Sequence, residues 1–145
     1  MKQMSTNTNR IMSLILVLAC MLVSCTQEPL VIKDSDTFIV IKADADVVVD
    51  NSEMMLIEYM EKLKADSVLY FEIAAGMITS INGIENPADF SSCWMLYTSD
   101  AENANSAWGT VEYEGVEYAS AIYGAEQLQI KPGCIYIWVF KSFEY

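Results

Sequence analysis

The stretch Cys134-Ile135-Tyr136-Ile137-Trp138-Val139-Phe140, entered through Pro132-Gly133, decides the fold. It is apolar at both alternating sets of positions. As a strand it therefore has no face to give to water, and it belongs in the middle of a sheet with cover on both sides. A second strand of the same kind is Cys93-Trp94-Met95-Leu96-Tyr97. Upstream, Gly76 introduces Met77-Ile78-Thr79-Ser80-Ile81, which stops at Asn82-Gly83, a dipeptide that tolerates the positive φ angles of a two-residue hairpin turn. Val68 to Ile73 reads as the strand before it. Thr37-Phe38-Ile39-Val40-Ile41-Lys42 reads as the first strand, with Val47-Val48-Val49 as its hairpin partner across an Asp44-Ala45-Asp46 turn.

One helix interrupts this β-rich order. Asp50, with Glu53 three residues on, marks its start. Met55, Leu56, Tyr59, Met60 and Leu63 then recur at helical spacing and form one apolar face, which is core rather than a ligand groove. Glu58 and Lys62 pair on the opposite face. Further on, Val111-Glu112-Tyr113, Glu114-Gly115 and Val116-Glu117-Tyr118 form an internal echo that reads as a hairpin. Folded about Glu114-Gly115, it sets Tyr113 against Val116, Val111 against Tyr118 and Glu112 against Glu117. Two carboxylates on a hairpin do not make a calcium site without further oxygen ligands. Strands followed by one helix and further strands make an α+β class.

The N-terminal end carries a different signal. Lys2 and Arg10 precede an apolar run from Ile11 to Val23, too short for a comfortable bilayer span and arranged as an export signal. Its last residues, Leu22-Val23-Ser24-Cys25, resemble the lipobox of bacterial lipoproteins, in which the cysteine receives a diacylglycerol and becomes the first mature residue. Val17-Leu18-Ala19-Cys20 is a looser match. The expected organisation is a signal peptide over 1–24, a lipidated tether over 25–36 interrupted by Pro29, and one domain over 37–145. Extended, the tether reaches roughly 35 Å. The expected location is extracytoplasmic, on the surface of a bacterial membrane and held there through lipid on Cys25.

Composition narrows the chemistry. From Cys25 onward six basic side chains face 20 acidic ones, a balance of −14 that disfavours nucleic acid and anionic lipid surfaces as partners. The chain contains no histidine, the commonest general base and the commonest nitrogen ligand for zinc, so neither a catalytic triad nor a familiar metal centre is available. Asp89, Asp100 and Glu102 are acid-base candidates only by lying in loops, and no spacing singles out a pair. The expectation is a protein that is not an enzyme and needs no cofactor or metal. Cys93 and Cys134 each open an apolar strand, which suggests a disulfide if those strand ends meet, the alternative being two buried thiols.

The order strand, strand, helix, strand, followed by Gly76-Met-Ile-Thr-Ser-Ile-Asn-Gly-Ile84 and Cys93-Trp-Met-Leu-Tyr97, resembles the β-grasp domain at the C-terminal end of transcobalamin and intrinsic factor, and a related domain of bacterial surface lipoproteins. It covers about 37–140, and Asn82, Gly83 and Trp94 match its motif. The resemblance implies a mixed sheet of about five strands plus a hairpin packed on one helix, and a corrinoid as ligand. The stretch 99–118 departs from the family. Trp94, Tyr97, Trp108 and Tyr123 are the aromatics on which a flat apolar ligand would stack. Two functions stand side by side: a non-catalytic module that captures a small molecule, and a surface domain that docks on a protein or a glycan.

Overall fold

Residues 31–43 and 53–143 are described by the computed structural model, and within them Ile135–Ser142 is a strand flanked on both edges. In chain order the elements are β1 (Val31–Ser35), β2 (Phe38–Lys42), α1 (Leu56–Ala65), β3 (Phe71–Ala74), β4 (Met77–Ile81), β5 (Ile84–Glu85), β6 (Ser92–Thr98), a 3-10 turn (Ala101–Asn103), β7 (Ala104–Tyr113), β8 (Val116–Ala121) and β9 (Ile135–Ser142). They build a six-stranded sheet in the order β1-β2-β9-β6-β8-β7 and a small sheet β3-β4-β5. The class is α+β, dominated by β-strands. Every described strand pair is antiparallel, which corrects the expected mixed sheet. No helix among the described residues is long and apolar enough to cross a membrane.

Strand alternation divides the large sheet into two buried faces. Tyr136 and Trp138 of β9, Ile39 and Ile41 of β2, and Trp94 and Leu96 of β6 turn to one side, where they meet Leu56, Tyr59, Met60 and Leu63 of α1, Phe71, Ile78 and Ile81 of the small sheet, and Leu128 and Ile130. Ile137, Val40 and Tyr97 turn to the other side and are just as completely buried.

The cover on that second side is the β7–β8 hairpin. Its register, Tyr113 opposite Val116 and Glu112 opposite Glu117, is the expected one, and Glu114 and Gly115 at φ 51° and 76° form the two-residue turn. The hairpin holds β6 only at Tyr97–Ser120 and Thr98–Ala119. Between Asn105 and Thr110 the pairing of β7 shifts, with Gly109 at φ 114°, and the strand bends there. The outer half then folds across the sheet, bringing the Tyr113 ring to 6.0 Å from Phe38 on β2, two strands beyond β6. Lys141 sits under this arm, its Nζ donating to Thr110 O at 3.4 Å and lying 4.9 Å from the centre of the Tyr97 ring.

Helix α1 starts later than its sequence suggests, for a long-range reason. The first N–H groups of a helix need acceptors. Here Leu56 N donates to Leu128 O at 2.8 Å and Ile57 N to Ala125 O at 2.9 Å, while the Glu58 carboxylate takes the Met55 N–H at 2.8 Å. The acceptors come from a loop some seventy positions away, so the start falls at Leu56. Asp50, Val47–Val49 and the Asp44–Asp46 turn lie outside the described residues. Both edges of β2 are taken by β1 and β9, so its partners differ from the expected one. Residues 31–35, expected in the tether, are the edge strand β1, and β3 begins at Phe71 rather than Val68.

If the arm is the cover of the second face, Tyr113→Ala lowers the unfolding free energy by about 3 kcal/mol. Urea denaturation would measure this, and the same variant is expected to bind a dye for exposed apolar surface.

Candidate functional site

The two covers of the first face are separate pieces of chain, and a cleft opens where they meet the sheet. Small sheet and large sheet are joined by Asn86. Its Nδ2 donates to Ile78 O at 2.9 Å, and its Oδ1 accepts from Trp94 N at 3.1 Å. Trp94 adds a second tie, with Nε1 donating to Ile84 O at 2.8 Å, and its ring lies 5.4 Å from Phe140. Beyond this joint, the turn at Ala75-Gly76 faces the segment 122–125 that leaves β8. Gly76 has φ 78°, a left-handed conformation that favours glycine, and a Cβ there would stand 3.0 Å from the carboxylate at the flexible end of Glu126.

The cleft between them has a volume of about 210 Å³. Trp94, Leu96 and Trp138 line it together with Ile78, Ser120 and Ala121, and no charged residue does. Met77 and Tyr123 stand at its rim, 44% and 46% exposed. Trp138 is 4% exposed, and its Nε1 is buried with no hydrogen-bond partner among the described residues. An indole N–H can only donate, and leaving one buried and unpaired costs about 1–3 kcal/mol.

Of the aromatics named from the sequence, Trp94 and Tyr123 share this cleft. Tyr97 lies on the opposite face beneath the arm, because strand alternation turns it away from Trp94. Trp108 is 60% exposed in the bent part of β7, away from the cleft. Trp138 and Met77 line the cleft as well. Trp138 looked like one more core residue of an apolar strand, and the only clue was an indole N–H in a run without a polar neighbour.

The expected disulfide is corrected. Strands β6 and β9 run antiparallel, with Cys93 opposite Lys141 and Cys134 just before the start of β9. Two residues that both open their strands therefore lie at opposite ends of the pair, roughly 20 Å apart at strand spacing, far beyond the reach of an S–S bond. Both are free thiols, and burial pushes the Cys93 thiol up. The cysteine read as lipidated, Cys25, lies outside the described residues.

The loop carboxylates serve an ion-pair cluster. Lys131 Nζ reaches Glu102 Oε2 at 2.6 Å and Asp100 Oδ1 at 2.9 Å, while Asp100 also accepts from Asn103 Nδ2 at 2.6 Å and Glu102 N at 3.2 Å. Burial works against the Asp100 charge, but the Lys131, Asn103 and Glu102 donors outweigh it, and its carboxyl is held below the usual range. The same contacts, Glu102 first, hold Lys131 above its usual value. Beside them Tyr136 is pushed up to about 12, mainly by burial, although its hydroxyl accepts the Lys131 N–H at 2.8 Å. Asp89 is remote, and the Ser91 N–H at 3.0 Å lowers its carboxyl. No group of three or more Cys, Asp or Glu residues gathers as a metal site among the described residues.

A carboxyl with a lowered folded pKa stabilises above its unfolded value of 3.8, and that contribution disappears as pH falls through the lower folded value. Asp100→Asn is therefore expected to cost about 1–2 kcal/mol near neutral pH. It should also flatten the acid limb of stability below about pH 4, and urea midpoints across the acid range would show both effects. In comparisons with known proteins, no family model, no curated protein and no solved structure matches this chain.

Proposed function

We propose that this chain is a non-catalytic ligand-binding domain with a β-grasp-like layout, exported and held at a bacterial cell surface by lipid on Cys25, with the Gly76–Trp138 cleft as its binding site. The observation that carries this reading is the cleft itself: uncharged, lined by two tryptophans, and flanked by two exposed apolar side chains at its rim. Ligand sites are concave, mostly apolar and supplied with few polar groups. Its volume of about 210 Å³ accommodates a portion of a corrinoid and not a whole macrocycle, so a corrinoid would lie across the rim and be held elsewhere by another protein. The second reading, docking on a protein or glycan, is favoured by Trp108 and Val116, both more than half exposed on the β7–β8 arm.

The test has two arms. Radiolabelled palmitate should enter the full chain expressed in bacteria and fail to enter Cys25→Ala. The same protein, scanned by thermal shift against cobinamide, cobalamin and neutral surface glycans, should be stabilised by about 2.7 kcal/mol at 100 times the dissociation constant of a true ligand. That gain should disappear in Tyr123→Ala. Absence of any shift would remove the small-ligand reading in favour of docking, and palmitate incorporation that survives Cys25→Ala would remove the anchor.

A further inference from the structure

We infer that the cleft takes a neutral, ring-sized molecule, or a ring-sized part of a larger one, whose hydrogen-bond acceptor is received by the Trp138 N–H. The inference rests on the reading of the cleft as a ligand site and goes further by naming the chemistry of what enters. Two indoles line the cleft and differ in one respect. Trp94 Nε1 is spent on Ile84 O at 2.8 Å, whereas Trp138 Nε1 has no acceptor among the described residues. Buried donors are nearly always paired, and an exception calls for a cause. A phenylalanine at 138 would keep an aromatic ring in the core without the unpaired donor, though it is smaller and leaves a void; the N–H gains a use once an acceptor reaches it.

No acceptor reaches the Trp138 N–H among the described residues. Nε1 is closed off from solvent and Trp138 is one of the residues lining the cleft, so a molecule that enters past Met77 and Tyr123 is the one that comes against this side chain. Met77 is unbranched and adapts its shape readily. The lining is uncharged, so an ion buried within it is left without a paired charge, and the acidic balance of the chain, with the Glu126 carboxylate beside Gly76, works further against an anion. A volume of about 210 Å³ fits one ring. Since indole donates and cannot accept, the group that meets it is a carbonyl or another acceptor oxygen or nitrogen. Tyr123, half-exposed at the rim, offers its ring to the apolar face of the same molecule.

The test uses the full chain in detergent micelles and two matched probes. Cyclohexanone carries an acceptor; methylenecyclohexane has nearly the same shape and none. In a ¹H–¹⁵N spectrum of the three indole groups, assigned with single Trp→Phe variants, cyclohexanone should move the Trp138 signal downfield and leave that of Trp94 in place. Methylenecyclohexane should leave the Trp138 signal without a downfield shift. Trp138→Phe should bind cyclohexanone about three- to tenfold more weakly, the contribution of one ordinary hydrogen bond. Equal binding by Trp138→Phe would overturn the inference. So would a Trp138 signal already at a hydrogen-bonded position in the free protein and unmoved by either probe. If cyclohexanone perturbs Tyr123 and Met77 but not the Trp138 N–H, the donor role fails and the cleft reading survives. If neither probe perturbs any cleft residue, both fail.

Discussion

The rest of the structure depends on the need to dry both faces of β9. A single antiparallel sheet commonly gives one face to water. Here the alternation along Ile135 to Phe140 offers no such face, since Tyr136 and Trp138 on one side and Ile137 on the other are all buried. Two covers are therefore required, and the chain makes them by different means. The first is assembled from α1, the small sheet and the 125–130 segment. The second is the outer half of the β7–β8 hairpin, bent back over the sheet that its inner half extends.

An assembled cover has seams, and the cleft is one of them. The segment after β8 is committed elsewhere, because the carbonyls of Ala125 and Leu128 hold the first N–H groups of α1. The small sheet is committed to β6 through Asn86 and Trp94. Between these two fixed pieces lies a gap that Gly76 and Met77 border on one side and Tyr123 and Gly124 on the other. Both borders of this gap are tied by hydrogen bonds, and Trp138, whose Nε1 has no partner among the described residues, is one of the residues that line it. The ion-pair cluster of Asp100, Glu102 and Lys131 acts on the fold instead, fixing the turn into β7 against the loop before β9.

What was legible in the sequence follows the range of the interactions. The centrality of β9, the Asn82-Gly83 turn, the apolar stripe of α1 and the register of the 111–118 hairpin each depend on neighbours within a few residues, and each is found in the structure. The start of α1 depends on carbonyls far along the chain. Edge strand β1 carries Lys33, Asp34 and Ser35, whose polarity suits an edge and hides a strand. The disulfide failed on direction: two cysteines that open their strands meet only if those strands run parallel, and β6 and β9 run antiparallel. The placing of the aromatics was hidden by strand alternation, since Trp94 and Tyr97 are three positions apart in sequence and face opposite sides of one strand. That the Trp138 Nε1 is buried without a partner among the described residues needed the packed structure, because an unpaired donor is defined by everything around it.

The measurement that tests the two-cover account most directly is native-state amide hydrogen exchange followed residue by residue. The account predicts that Tyr136 to Trp138 on β9 exchange most slowly, through global unfolding, with Val40 and Tyr97 close behind. Exchange at Val40, Tyr97 and Ile137 that is fast while Trp94 and Leu96 stay protected would contradict it, because the second face would then be open and the β7–β8 arm would not be its cover.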